Sequence, residues 1–212
     1  MPVTQESGAA HANNVLQAII IGTGFAGLGM AIALQKQGID RFLILEKADD
    51  VGGVWRDNSY PGAACDVPSH LYSFSFYPNP NWTRKFAPQG EILTYLKDCA
   101  RQFGLRKYVR FGSEVRAAEF DEQQQNWRVL LKDGTELRSQ LLITAMGQLS
   151  RPAIPAIEGQ SSFQGKAFHS ARWDHAFDLT GKRVAVIGTG ASAIQFVPAI
   201  AARVESMEVF QR

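Results

Sequence analysis

Cysteine is scarce in this 212-residue chain. The two present, Cys65 and Cys99, lie 34 positions apart and match no zinc or redox-pair spacing. That excludes a disulfide framework and fits a reducing compartment. Long apolar runs are missing too, so nothing approaches a bilayer-spanning segment. One-sided charge is also absent: Lys and Arg total 22 against 20 acids, and they are scattered. A net charge of +2 without a clustered basic face argues against a nucleic-acid footprint. Met1–Asn14 is polar and shows no signal-peptide layout, so it reads as a flexible tail ahead of a soluble, cytoplasmic body. No histidine has the companions of a metal site, and no metal is expected.

What is present is organised around Gln17–Glu46. Ala18–Ile21 is a short apolar run suited to a buried parallel strand. Gly22, Thr23, Gly24, Phe25, Ala26 and Gly27 then fill G-x-G-x-x-G. In that pattern the first glycine makes the tight turn, the second admits a pyrophosphate and the third lets helix and sheet pack closely. The helix that follows offers its N-terminal N–H groups and positive dipole end to phosphates, and Gly38 stops it. Phe42–Leu45 reads as the second strand, with Glu46 at its tip placed to accept from two ribose hydroxyls.

Val51-Gly52-Gly53-Val54-Trp55 gives a backbone able to pass close to a ligand beside a broad aromatic. Tyr60–Phe76 is a long irregular stretch in which Asp66 and His70 are nearly the only ionisable groups. Composition alone makes Asp66 a backbone-bonding loop residue. Gln89–Phe103 carries Ile92, Leu93, Leu96, Ala100 and Phe103 at helical spacing. Ser113–Phe120, Trp127–Leu131 and Thr135–Arg138 read as an antiparallel meander turning at Asp133-Gly134. Leu141–Ala145 reads as a separate strand returning to the parallel sheet, and Arg151–Gln160 as a linker. Phe163–Asp174, with a lone His169, reads on physics alone as a packed connection.

The opening pattern then recurs. Arg183–Ile187 is a strand, and Gly188, Thr189, Gly190, Ala191, Ser192 and Ala193 fill G-x-G-x-x-A. A helix to about Arg203 and a strand at Met207–Phe210 complete the unit. Glu46 lies 24 positions after Gly22, and Arg212 lies 24 after Gly188. An acid suits free ribose hydroxyls and an arginine suits a 2′-phosphate, which implies FAD first and NADPH second.

The sequence resembles the N-terminal part of a class B flavoprotein monooxygenase, specifically a Baeyer–Villiger monooxygenase. Phe163, Gly165, His169, Trp173 and Asp174 fill every fixed position of the family signature F-x-G-x-x-x-H-x-x-x-W-[P/D]. Gly52-Gly53-Val54-Trp55, Tyr60-Pro61-Gly62, Cys65-Asp66 and Phe210-Gln211-Arg212 also match. The resemblance implies an α/β fold. A Rossmann-type FAD-binding domain with a small meander spans residues 15–150, followed by an incomplete Rossmann-type NADP-binding domain over 151–212. By the same resemblance Gly22, Gly24, Phe25, Ala26, Gly27, Glu46, Lys47, Gly53, Val54, Trp55, Asp66, Tyr72 and Val115 form the FAD site. Gly188, Gly190, Ala191, Ser192 and Arg212 form the NADP site, and the signature residues lie at the domain junction. The implied activity is insertion of one oxygen of O2 into a ketone through a flavin C4a-peroxide, with Asp66 orienting a peroxide-stabilising arginine. Trp173-Asp174 favours this group over oxygenases of amines and thioethers, which remain the alternative. Family members are longer, so the resemblance implies an N-terminal fragment, completed by another chain if the gene is split, or an inactive remnant.

Overall fold

The computed structural model describes residues 15–211. The expected tail at residues 1–14 and Arg212 lie outside the described residues. Two compact units divide the chain: residues up to Gly53 with Leu96–Gly147, and Val54–Tyr95 with the residues from Gln148 on.

The first unit is built on the strands β1 (Leu16–Ile21), β2 (Phe42–Leu45), β3 (Val109–Arg110), β4 (Val115–Asp121), β5 (Asn126–Leu131) and β6 (Glu136–Thr144). Among the described residues they form one six-stranded sheet of order β3-β2-β1-β6-β5-β4. β1 runs parallel to β2 on one side and β6 on the other, with Ile19 opposite Leu43 and Leu142. Flanked on both edges, it buries Ala18, Ile19 and Ile20 completely, which explains its unbroken apolar run. Helix α1 (Phe25–Lys36) places Leu28, Ala31 and Ile32 in the core. It ends where the sequence indicates, Gly38 taking a φ of +73°. β4 and β5 pair antiparallel, and alternate residues of β5 turn inward. Val129 and Leu131 join Ile19 and Leu45 in one buried cluster, so meander and parallel strands share a core.

The expected break between Thr135–Arg138 and Leu141–Ala145 does not exist. β6 is continuous and changes partner midway, Ser139 facing Trp127 of β5 antiparallel and Leu16 of β1 parallel. Between those two stretches the sequence is polar, Arg138-Ser139-Gln140. Ser139 is nonetheless fully buried, with its hydroxyl donating to the Leu141 carbonyl at 2.8 Å.

The second unit contains the short α2 (Val54–Asp57) and the start of α3 (Gln89–Gln102), the unit boundary falling within α3. Ile92, Leu96, Cys99 and Ala100 are buried along α3 at the spacing of one helical face. The irregular stretch before α3 is held by aromatics. The Tyr95 hydroxyl accepts from the Phe74 amide and donates to the Tyr77 carbonyl, both at 2.8 Å. Strands β7 (Arg183–Ile187) and β8 (Ser206–Phe210) pair in parallel around α4 (Ala191–Ala201). Among the described residues no helix is long and apolar enough to cross a membrane.

Candidate functional site

The first fingerprint turn is shaped by contacts that forbid side chains. Gly22 has a φ of +104° and donates its amide to the Leu45 carbonyl at 2.8 Å. A Cβ on it would stand 2.6 Å from the Ala145 carbonyl oxygen at the end of β6. A Cβ on Gly27 would meet the Gly22 carbonyl oxygen at 1.9 Å, so helix and turn touch backbone to backbone. Gly24 caps α1 and, as a glycine, supplies no side-chain cap bond. Beside it Gly53 has a φ of +54°, and a Cβ there would lie 3.0 Å from the Gly24 Cα. The start of α1 is thus bordered by bare backbone from two segments. That leaves room and N–H groups for a pyrophosphate.

Glu46 lies at the tip of β2 as expected, and it is buried. Its Oε2 accepts from the Thr23 amide at 3.1 Å and the Thr23 hydroxyl at 2.5 Å, and its Oε1 accepts from the Ala48 amide at 3.0 Å. The carboxylate therefore fastens the turn to the strand tip. Phe25 is half-buried, Ala26 and the neighbouring Lys47 are exposed, and Val115 packs against the Ile19–Leu45 cluster.

In the second unit two backbone bonds of the turn recur. Gly188 has a φ of +104° and donates to the Phe210 carbonyl at 2.8 Å. Gly190 caps α4, again without a side-chain bond, and the Ile194 amide returns to its carbonyl at 3.1 Å. The equivalent bond in the first turn, from Leu28 to Gly24, is 3.0 Å. Among the described residues, chain neighbours aside, no atom comes within 4 Å of a Cβ built on Gly188 or Gly190, so this turn is the more open of the two. Ala191 and Ser192 begin the helix, and Arg212 lies outside the described residues.

Trp55 and Tyr72 come together edge to face, the indole N–H donating to the phenol oxygen at 3.0 Å. Burial raises the Tyr72 phenol pKa, opposed by that bond. Asp66 sits on the exposed part of its loop. Burial also raises the Cys65 thiol, with the Asp66 charge adding to the rise. A thiol so raised stays protonated at neutral pH and is a poor nucleophile. The signature folds on itself: the Phe163 ring occupies the space a Gly165 side chain would need, and Lys166 pairs with Asp174 at 2.6 Å. The His169 Nδ1 accepts from the Ala171 amide, which caps a short turn, and Trp173 meets Phe196 of α4 with ring centroids 5.3 Å apart and planes tilted by 56°.

Two site features escaped the sequence. Asp50 binds Lys97 and Arg106, each at 2.8 Å, and accepts from the Val51 amide. It thereby braces the segment leading to Gly53. Gln195 bonds to the 60–64 loop from α4. Neither belongs to a motif, and no spacing rule announces them.

The family model described as pyridine nucleotide-disulphide oxidoreductase matches residues 19–212. The chain belongs to that family of dinucleotide-binding oxidoreductases. It is 55% identical over 193 residues to a Baeyer-Villiger monooxygenase of Streptomyces coelicolor, and 53% identical to one of Pseudomonas aeruginosa. Each alignment covers 91% of this chain and 37% of the relative, so the chain spans little more than a third of their length. Among solved structures it resembles an oxidized steroid monooxygenase bound to NADP, with a TM-score of 0.86 and 44% identity over 93% of this chain and 39% of that one. It also resembles OTEMO in complex with FAD and NADP, with a TM-score of 0.87 and 38% identity, covering 93% of this chain and 39% of that one.

Proposed function

We propose that this chain carries the cofactor-binding elements of an FAD- and NADPH-dependent Baeyer–Villiger monooxygenase, acting on a ketone and O2 in the cytoplasm. The observation that carries the reading is the pair of matching glycine turns, one ending at an acid and one followed by an arginine, joined by the Phe163–Asp174 signature. Residues 15–150 serve FAD and residues 151–212 serve NADPH. Bound FAD supplies the redox centre for oxygen activation, and NADPH supplies the hydride.

The residues of this chain hold and orient. Backbone around Gly22, Gly24 and Gly53 receives the flavin's pyrophosphate, and Glu46 accepts from its ribose. Phe25–Gly27, Lys47, Val54, Trp55, Tyr72 and Val115 complete that site. Gly188, Gly190, Ala191 and Ser192 receive the second pyrophosphate, and Arg212 reads the 2′-phosphate. Asp66 is the acid that orients a cation facing negative charge developing on oxygen. Phe163, Gly165, His169, Trp173 and Asp174 form the signature segment, which reaches α4 where Trp173 meets Phe196.

The experiment is flavin absorbance and NADP+ binding with the purified chain, then product analysis with a protein that contains it. Retained flavin, and lactone from a cyclic ketone, support the reading. Sulfoxide from a thioether with no lactone assigns heteroatom oxygenation instead. Equal loss of NADPH and NADH binding in Arg212→Ala shows that Arg212 does not read the phosphate.

A further inference from the structure

Gln195 lies one turn into α4, half-buried, and its side chain leaves the helix to hold a loop. Its Oε1 accepts from the Tyr60 hydroxyl at 2.9 Å and from the Ala64 amide at 3.3 Å. Its Nε2 donates to the Ala64 carbonyl at 2.9 Å. The side-chain amide thus pairs with one residue's backbone as a neighbouring strand would, and three of its four polar positions are used. The approach is close. Gly62 has a φ of +78°, and a Cβ on it would stand 2.6 Å from the Gln195 carbonyl oxygen and 3.2 Å from the Ala199 Cβ. The next residue, Phe196, takes the Tyr60 ring at 6.2 Å and the Trp173 ring at 5.3 Å. Helix α4 therefore grips the 60–64 loop and the end of the 163–174 segment with two adjacent side chains.

We propose that Gln195 is a positioning residue that transmits occupancy of the second glycine turn to the loop carrying Asp66. The inference rests on the proposed binding of NADP at Gly188–Ser192. A ligand there orders the first turn of α4, and Gln195 is only four residues beyond Ala191. Its three bonds make helix and loop one hydrogen-bonded body, so ordering one end orders the other, and the coupling is reciprocal. A glutamine that merely filled space would stabilise the loop equally with and without ligand.

The test reads amide hydrogen exchange by mass spectrometry, resolved to single residues, in the full chain kept dilute enough to stay monomeric, with and without saturating NADP+. The reporters are Ala63 and Cys65, whose amides bond to the Tyr60 and Ala87 carbonyls and keep those partners in the variants. The wild type should show exchange at both slowed by about tenfold on NADP+ addition, a usual size for coupling between sites. Gln195→Leu should still bind NADP+ by calorimetry and lose the slowing. Tyr60→Phe removes one bond of three and should reduce the slowing, and it carries the test if Gln195→Leu does not fold. Undiminished slowing in either folded variant overturns the proposal, as does NADP+ binding to the wild type with no slowing. Absence of NADP+ binding to the wild type overturns the reading of the second turn and this inference with it, and calorimetry tells the cases apart.

Discussion

Glu46 shows how much one carboxylate does before any ligand arrives. Its two oxygens accept from the Thr23 amide, the Thr23 hydroxyl and the Ala48 amide. Glutamine has nearly the same shape, but its NH2 would face either the Thr23 amide or the Ala48 amide, donor against donor. Glu46→Gln should therefore destabilise the ligand-free protein by about 1–3 kcal/mol and weaken flavin retention as well. Urea denaturation of the flavin-free variant checks this, and unchanged stability would restrict Glu46 to ligand binding. The sequence placed Glu46 correctly at the strand tip, because the spacing from Gly22 is a property of the repeat. Its grip on Thr23 was not legible, since it depends on side-chain direction. Asp50 was missed for the same reason. Burial pushes its carboxyl up, but hydrogen bonds from Lys97 and Arg106 outweigh that and hold it at about 2, against an ordinary 3.8. A depressed acid stabilises the fold above its unfolded value and loses that contribution as pH falls through the folded one. The loss should run from pH 3.8 to about 2. Lys97 and Arg106 are about half exposed, so the contribution is discounted to about 1 kcal/mol. Asp50→Asn should be less stable than wild type at pH 7, by a margin that shrinks as pH falls from 3.8 through about 2. A gap of the same size at pH 7 and at pH 2 would assign the effect to packing.

Two glycines of like backbone separate conformational cost from contact cost at the level of the element. Gly38 and Gly62 have φ of +73° and +78°. Among the described residues a Cβ on Gly38 meets nothing within 4 Å, whereas one on Gly62 meets α4. Gly38→Ala should cost about 1 kcal/mol, the price of a left-handed backbone. Gly62→Ala should cost clearly more, about 2–4 kcal/mol, because the loop must also leave the helix. Comparable values from denaturant melts would mean that the 60–64 loop gives way easily and grips α4 weakly. Helices and paired strands were legible wherever periodicity was clean, as in α3 with Ile92, Leu96 and Ala100. Legibility failed at β6, where one strand serves two partners and its central serine is buried. Periodicity describes one face and one partner at a time, and Ser139 answers to both β1 and β5.

Across the whole chain the two dinucleotide-type turns were readable because the same pattern occurs twice with the same spacing to a charged residue. The packing between distant segments of the second unit was not, since Gln195, Phe196 and Trp173 meet only through tertiary structure. That unit also exposes much apolar surface. Ile187 is 64% exposed, Ile194 69%, Val209 44% and Phe210 51%, all on the β7–α4–β8 unit. Two paired strands with one helix are near the lower limit for independent stability. Apolar exposure of this kind drives association with whatever apolar surface is available. The 212-residue chain purified alone should bind a hydrophobic dye such as ANS and self-associate as its concentration rises. Apolar surface open to water around the second turn also fails to exclude solvent, and water exclusion keeps reactive oxygen species on course toward a carbonyl. Supplied with FAD, NADPH and a cyclic ketone, the chain alone should consume NADPH slowly, if at all, and release no lactone. Chromatography of the reaction mixture decides the matter. Lactone at about 1 per second or faster, a rate ordinary for an enzyme, would show that 212 residues suffice for the chemistry.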